Sequence, residues 1–343
     1  PLLMMVVTAV ILLVVAAASL VIENRRHTLR EAGRENLNVA RLVSFHTLYV
    51  LNTSRLLLES IADHVNAHGL AHFHSEEGKR FLLNRTQDYP DLQSMLLIDK
   101  NGQLLVGATL PFPPPKVSYG DRDYFLAHAG GQDWVFGEQL LSRTQGRRGV
   151  TVSRTIRSES GAFEGIVLLT IESTHFDQMF QGVRGKGNEE ITIFRDDGAI
   201  FARYPEIPVG RRFPHASVFP KARESRSGVY EATSVFDERL RLVAFERVGD
   251  FPLIVVSSQI REEILASWWR FCLVVVFALL IGFAWLGSAG RYAFRSVIQN
   301  ETLQLELARL ARTDSLTDLA NRRHFTELVE KELSRSQRYG GEL

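Results

Sequence analysis

Cysteine is nearly absent from this chain, because Cys272 is the only one among 343 residues. A single cysteine excludes a disulfide framework and a cysteine-based metal site within one chain. Cys272 also lies inside an apolar run, so cysteine usage does not identify the redox compartment.

An excess of charge of one sign is absent as well. The chain has 40 basic and 39 acidic residues and a formal net charge of +1. A nucleic-acid-binding domain carries a basic surface that this balance does not supply, so we expect no nucleic-acid partner. The length is sufficient for two or three domains of roughly 100–200 residues each.

Two long stretches have no charged residue at all, Pro1–Ile22 and Phe271–Gly290. A helix of about 20 apolar residues crosses the hydrocarbon core of a bilayer. Trp268 and Trp269 precede the second stretch, and tryptophan favours the membrane interface. We therefore predict transmembrane helices at 1–22 and 270–290, with a domain of residues 23–269 on one side of the membrane.

Each apolar stretch has an alternative explanation. The first could be a cleaved signal peptide, because Ala16, Ala17 and Ala18 offer a small-residue cleavage site. The second could be the buried core helix of a soluble domain. Arginines follow both stretches, so the distribution of positive charge does not decide the orientation.

The region between the apolar stretches begins with a helical pattern and continues with a repeat. Apolar residues recur every three or four positions from Glu23 to about Ala67, which indicates a long amphipathic helix. Met95–Ala108 and Ile191–Tyr204 then share one pattern, two apolar strands around an Asn-Gly or Asp-Gly turn. We predict an α+β fold with two tandem PAS-like modules, at about 68–183 and 184–262, each with an antiparallel sheet. Further strands are expected at Trp134–Leu141, Val150–Ile156, Phe163–Ile171, Gly228–Val235, Leu240–Phe245 and Leu253–Ser258.

Histidines are concentrated where the long helix is expected to end. His64 and His68 are four residues apart and can share a helical face, and His72 and His74 follow Gly69. Imidazoles in this arrangement suit zinc or copper. Solvated histidines at a helix end are the alternative, and the spacing alone does not decide between them.

The region 23–269 resembles the double Cache sensor family of bacterial receptors. The matching parts are the long first helix, "YGDRDYF" at Tyr119–Phe125, "VSRTIRSESGAFEGIVLLTIE" at Val152–Glu172 and the second hairpin. The resemblance implies an extracytoplasmic sensor whose membrane-distal module binds a small solute near Tyr119–Phe125.

The residues of this segment also suggest a binding site. Arg122 offers a planar guanidinium for a carboxylate, and Arg154 offers a second cation on a strand. The predicted ligand-binding residues are Tyr119, Asp121, Arg122, Tyr124 and Arg154. The alternative is that the two arginines form structural ion pairs with Asp121, Asp123 or Glu138.

The chain departs from the branch of the family that binds amino acids. That branch has an Arg-x-Trp-Tyr stretch and a later aspartate that holds the ligand's amine. Here the stretch is "RDYF" at Arg122–Phe125, and Thr170 stands at the later position. The departure favours a small anionic or carboxylate solute without an amine as the partner. The alternative is that no small ligand binds.

The segment after the second apolar stretch has a helical composition. Arg291–Thr313 contains neither glycine nor proline, and Leu303, Leu307 and Leu310 fit one heptad seam. We predict a signalling helix at 291–313 that pairs in a homodimer. A solvated helix with no partner is the alternative.

Asp314–Phe325 reads "DSLTDLANRRHF" and is similar to the start of the GGDEF family, D-x-L-T-x-L-x-N-R-R-x-F. Read alone, the segment is a turn and a helix capped by Asn321. The resemblance implies that 314–343 begin a GGDEF domain. The whole protein would then be a multi-pass receptor of the bacterial inner membrane with a periplasmic sensor. Its output would be a diguanylate cyclase that makes cyclic di-GMP from two GTP with Mg²⁺.

The final residues "RYGGEL", Arg338–Leu343, resemble the signature loop of that family but lie too close to Asn321 to be it. The residues that bind Mg²⁺ and GTP in the family come later. We therefore expect no catalytic residue, no metal site and no cyclase activity in these 343 residues. A degenerate GGDEF domain, an added EAL phosphodiesterase domain, or a receptor without enzyme activity remain as alternative outputs.

Overall fold

The computed structural model describes residues 2–87, 92–158, 160–183, 188–313 and 319–339. Its internal contacts divide the chain into two units, 1–269 and 270–343. The first unit opens with helix α1, Leu2–His68, which runs for 67 residues. No proline interrupts this stretch, and its apolar residues recur at helical spacing, so a single helix is the expected result.

The first module follows α1 and contains a six-stranded antiparallel sheet in the order β2-β1-β6-β5-β3, with β4 paired to β5. A short 3₁₀ turn, Leu70–His74, joins α1 to this module. The strands are β1 Leu92–Asp99, β2 Leu104–Gly107, β3 Trp134–Phe136, β4 Leu140–Leu141, β5 Arg148–Arg157 and β6 Phe163–Glu172. The helices are α2 Glu76–Gln87, α3 Asp123–Ala129 and α4 Ser173–Val183.

The second module repeats this plan with a five-stranded antiparallel sheet in the order β8-β7-β11-β10-β9. Its strands are β7 Glu190–Arg195, β8 Ile200–Tyr204, β9 Ser227–Thr233, β10 Leu240–Arg247 and β11 Leu253–Ile260, and its helix is α5 Val218–Glu224. The predicted α+β fold with two antiparallel sheets is confirmed.

Both predicted hairpins are present, and glycine explains their turns. Gly102 and Gly198 have φ angles of +78° and +86°, in the left-handed region that favours glycine. The strand β1 runs antiparallel to β2, and β7 runs antiparallel to β8. The Asn-Gly and Asp-Gly signals therefore locate the two equivalent turns of the repeat.

Helix α1 is the common support of the two modules. Its buried residues, among them Val43, Leu51 and Leu58, pack in one apolar core with strands of both sheets. Polar contacts add to this packing, because Asn36 Nδ2 donates to Leu242 O (3.1 Å) and Ser44 Oγ donates to Arg247 O (3.1 Å). The opposite face of each sheet has a smaller core of its own, under α3 in the first module and under α5 in the second.

Within the described residues, two helices are long and apolar enough to cross a membrane, α1 and α6 Arg261–Arg312. The most apolar segment of each helix is not buried. Beside these segments, Trp268 Nε1 donates a hydrogen bond to Val21 O (2.9 Å). The indole thus joins α6 to α1 where the apolar stretch of α1 ends.

The second unit contains most of α6 and then α7, Arg322–Tyr339. Asn321 caps α7 as predicted, because its Oδ1 accepts a hydrogen bond from the backbone N–H of His324 (2.9 Å). Residues 314–318 of the GGDEF-like motif and the last four residues, 340–343, lie outside the described residues.

Candidate functional site

A cleft of about 590 Å³ lies between the two modules of the first unit. The first module contributes α3, the residue before it and the edge strand β3, and the second module contributes the turn between β7 and β8. The cleft is lined by Asp121, Arg122, Asp123, Tyr124, Trp134, Phe136, Glu138, Arg143, Arg195, Asp196, Asp197, Arg212 and neighbouring apolar residues. Three of the five predicted site residues, Asp121, Arg122 and Tyr124, are in this lining.

Arg122 occupies the position before α3, where its backbone is extended. Its Nη2 donates to Leu141 O (3.1 Å) of the same module, which holds the side chain in place. Its Nε is buried and has no hydrogen-bond partner among the described residues. This guanidinium can therefore donate a hydrogen bond to a planar anion such as a carboxylate.

The carboxylates next to Arg122 have other partners. Asp121 forms a bidentate pair with Arg143, with both N–O distances at 2.6 Å. The hydrogen bonds from Arg143 lower the pKa of Asp121 to about 2. Asp123 pairs with Arg212 (2.9 Å). Within the described residues, Arg122 therefore makes none of the ion pairs offered as the alternative.

Arg212 joins the two modules across the cleft. Its guanidinium lies 2.9 Å from Asp123 and 3.2 Å from Glu138 of the first module, and 3.4 Å from Asp197 of the second. Arg195 adds a second link, because its Nη1 donates to Phe136 O (2.8 Å).

Asp197 of the β7–β8 turn belongs to the same network. Arg195 pairs with Asp197 (2.7 Å), and this pairing lowers the pKa of Asp197 and raises that of Arg195. Arg143, Arg195 and Arg212 were not predicted as site residues from the sequence. The Asp-Gly turn was the available signal, since it marks where Asp197 meets the first module.

The two tyrosines of the predicted site are both buried. Tyr124 lines the cleft and is 4% exposed, and its burial raises the pKa of its hydroxyl. Tyr119 lies in the apolar core beneath α3 rather than in the lining, with the Arg143 guanidinium 6.0 Å from its ring centre. Burial also raises the pKa of Tyr119.

Arg154 and Thr170 lie away from the cleft lining. Arg154 pairs in register with Trp134 and its guanidinium is 5.4 Å from that ring's centre. Side chains alternate along a strand, and Val152 and Ile156 of the same strand β5 pack in the α1 core. Arg154 is therefore on the α1 face of the sheet. Thr170 is buried on β6 between its neighbours on β1 and β5.

His128 fills the space between α3 and the sheet and was not singled out by the sequence. Its Nδ1 lies 2.7 Å from Gln132 O, and its Nε2 lies 2.8 Å from Ser153 Oγ. Since a carbonyl only accepts, the network assigns the proton to Nδ1 and makes Nε2 the acceptor for the Ser153 hydroxyl. Burial lowers the pKa of His128, so the imidazole is neutral near pH 7.

The histidines at the end of α1 do come together. The ring centres of His64 and His68 are 4.1 Å apart, and His72 lies 5.5 Å from His64. No group of three or more histidine, cysteine or acidic side chains in the described part of the chain is arranged to hold a metal ion. The rings stack on one another and on Phe81 instead.

Several solved sensor domains have the same fold. The extracellular domain of the candidate histidine kinase rpHK1S-Z16 matches 70% of this chain and 99% of its own length, with 26% identity and a TM-score of 0.61. The ligand-binding domain of the Pseudomonas fluorescens chemoreceptor CtaA, solved with L-isoleucine, matches 71% of this chain and 98% of its own, with 14% identity and a TM-score of 0.54.

A further similar structure is the ligand-binding domain of the Pseudomonas aeruginosa PAO1 amino acid chemoreceptor PctB, solved with L-Gln. It matches 67% of this chain and 91% of its own, with 15% identity and a TM-score of 0.52. At these identities the likeness to the two chemoreceptors concerns the fold alone. A search of curated proteins finds no match.

The family comparison agrees with the repeat, the two sheets and the supporting helix. The Cache domain family dCache_1 matches residues 24–268, which is more than two thirds of the chain. The chain therefore belongs to the double Cache family, and it carries the extracellular type of ligand-binding sensor domain found in signalling receptors.

Proposed function

We propose that this protein is a multi-pass receptor of the bacterial inner membrane whose periplasmic Cache domain binds a small carboxylate in the cleft beside Arg122. Two helices of membrane-spanning length and composition support the location. The tryptophan contact between α6 and α1 supports it too, because tryptophan is enriched at membrane interfaces.

The ligand proposal rests on which charged side chains of the cleft already form ion pairs. Each of the five carboxylates in the lining has an arginine partner, since Asp196 pairs with Arg247 (3.3 Å) in addition to the pairs described above. Arg122 has no carboxylate partner among the described residues, and its Nε is an unused donor. A carboxylate solute would complete this arrangement without displacing an existing pair.

The first prediction concerns Arg122→Ala. A hydrogen bond to a charged group contributes about 1.5–3 kcal/mol, which corresponds to a loss of roughly ten- to a hundredfold in affinity. The measurement is a thermal-shift screen of carboxylates and amino acids, followed by calorimetry on each compound that binds.

Arg80→Ala is the matched control, because Arg80 is an exposed arginine of α2 far in sequence from the cleft. It should bind like the unaltered protein. Unchanged binding by Arg122→Ala, or an α-amino acid as the best ligand, would contradict the assignment.

The proposed output is a diguanylate cyclase, in a homodimer joined by the signalling helix 291–313. The motif Asp314–Phe325 and the observed Asn321 cap support it. Mg²⁺ and GTP would be held by later parts of a GGDEF domain, where the metal would polarise the reacting phosphate. No residue of 319–339 is assigned to that chemistry.

The second prediction tests this output in the protein extended beyond Leu343. Cyclic di-GMP formation from GTP should change when the carboxylate is added. Arg212→Ala should reduce this response, because Arg212 links the two modules across the cleft. Absence of cyclic di-GMP formation with an intact signature loop would refute the cyclase output.

Reporter fusions test the proposed membrane topology. Fusions at residue 200 and after Arg291 should lie on opposite sides of the membrane.

A further inference from the structure

The second module has a cavity of its own, separate from the cleft between the modules. Its volume is about 50 Å³, and it lies between the sheet of β7–β11 and helix α5. This is the face of the sheet opposite α1, where the small core of the second module is found.

Two buried arginines line this cavity. Arg203 is 5% exposed and Arg241 is 3% exposed. Both hold Glu190, each at 2.8 Å, and Arg241 also pairs with Asp237 (2.7 Å). Thr192 Oγ1 accepts a further hydrogen bond from Arg203 Nη1.

The charges of this cluster cancel, but its hydrogen bonds are incomplete. Two guanidinium groups face two carboxylates, so the sum of the formal charges is zero. Arg203 Nε and Arg241 Nη1 are nevertheless buried without a hydrogen-bond partner among the described residues. A buried donor without an acceptor is costly, and the residues of both donors line the cavity.

The remaining walls define what kind of acceptor fits. Phe194, Val218, Val243 and Val256 make much of the lining apolar. A water needs about 10–15 Å³ of such space, so the cavity accommodates about three to five small groups. An additional anion would be buried without a counter-charge, which is strongly unfavourable.

We propose that this cavity is a second binding site, for a small neutral solute that carries a carbonyl or amide oxygen on a short apolar body. The oxygen accepts hydrogen bonds from the guanidinium groups of Arg203 and Arg241, and the apolar part lies against the valines. The site is independent of the carboxylate site beside Arg122.

The test uses acetamide as the probe and the whole 343-residue chain in nanodiscs of deuterated lipid. Saturation-transfer NMR should show acetamide bound to the unaltered chain. On Arg122→Ala, which lacks the proposed carboxylate site, it should show acetamide bound and acetate not bound. A four-atom ligand binds with a Kd no lower than about 40 µM by the usual ceiling on energy per atom, so millimolar concentrations are appropriate.

Two variants fill the cavity from different elements without touching an ion pair. Val256→Phe on β11 and Ala216→Leu before α5 should each reduce the acetamide signal at least fivefold. Val209→Phe is the matched control, because Val209 is exposed outside the cavity. Arg122→Ala should leave the signal unchanged, which separates this site from the proposed carboxylate site.

Chemical shifts of the unaltered chain decide the outcome if neither filled variant folds. Acetamide should then shift the backbone amide signals of Thr233 and Ser258, which line the cavity. No saturation transfer, an unchanged signal in a folded filled variant, or binding of acetate in place of acetamide would overturn the proposal. Ordered water alone in the cavity would do the same.

Discussion

At the scale of single residues, two arginines of the cleft differ in whether they pair with a carboxylate. Arg122 and Arg143 both line the cleft, yet Arg143 forms a bidentate pair with Asp121 and Arg122 does not. Asp121 is exposed, so its low pKa reflects the geometry of this pair rather than burial. The chemistry of the cleft is thus set by which arginine has no carboxylate.

The third prediction concerns His128 and pH. Its pKa in the folded protein is below the ordinary value of 6.5 because it is buried. As pH falls below about 6.5, the unfolded chain takes up the proton that the folded state resists. The contribution of neutral His128 to the free energy of unfolding is therefore fully present above about pH 6.5 and decreases below it. His128→Gln should show a smaller loss in the free energy of unfolding between pH 7.5 and 5.5.

Chemical denaturation of the sensor domain at several pH values is the measurement. His215→Gln serves as the control, because His215 is exposed, and it should keep the pH dependence of the unaltered protein. An identical pH dependence in His128→Gln would show that His128 contributes nothing to it.

At the scale of elements, the β7–β8 hairpin places the second module's charges in the cleft. Its turn requires Gly198, which has a φ of +86° and whose missing Cβ would lie 2.5 Å from Pro214 N. Ala at this position would therefore be strained and would also displace the backbone next to Asp197.

The fourth prediction compares Gly198→Ala with Gly210→Ala. Gly210 has a similar φ of +81° but open space around its missing Cβ. Gly210→Ala should cost about 1 kcal/mol from the left-handed conformation alone. Gly198→Ala should cost about 2–3 kcal/mol, since the steric conflict adds to the strain. Equal losses in thermal denaturation would show that the approach of Pro214 is unimportant.

At the scale of the whole molecule, α1 has an exposed apolar stripe beyond its membrane-length part. Leu42, Phe45, Tyr49 and Leu56 are each more than half exposed. Their spacing of three, four and seven residues follows a heptad seam. This stripe supports the proposed homodimer, because two copies anchored in one membrane would present it side by side.

The fifth prediction places a charge in this stripe. Phe45→Glu should weaken dimerisation at least tenfold, because a buried unpaired carboxylate at a helix seam is strongly unfavourable. Sedimentation in detergent over a range of concentrations measures it. Leu126→Glu alters an exposed leucine on α3 instead, and it should dimerise like the unaltered protein. A dimer of unchanged affinity in Phe45→Glu would contradict the α1 interface.

The amino-acid sequence by itself determined the long helix, the strands and the two hairpins, whereas the short helices α2 to α5 were not predicted. Apolar periodicity predicted the long helix and the strands, and the Asn-Gly and Asp-Gly turns predicted the two equivalent hairpins. These features depend on residues a few positions apart, where backbone sterics and side-chain alternation act directly. For the same reason, Asn321 could be identified as the cap of α7 from its neighbours alone.

Only the tertiary structure decided which charges meet. Asp121 finds Arg143 22 residues away, and Asp123 finds Arg212 89 residues away. The strand position of Arg154 also directs it to the α1 face, although the sequence placed it beside Arg122. Ion-pair partners depend on how sheets and modules pack, because a charge interacts with whatever lies within a few ångströms and not with its neighbours in the chain.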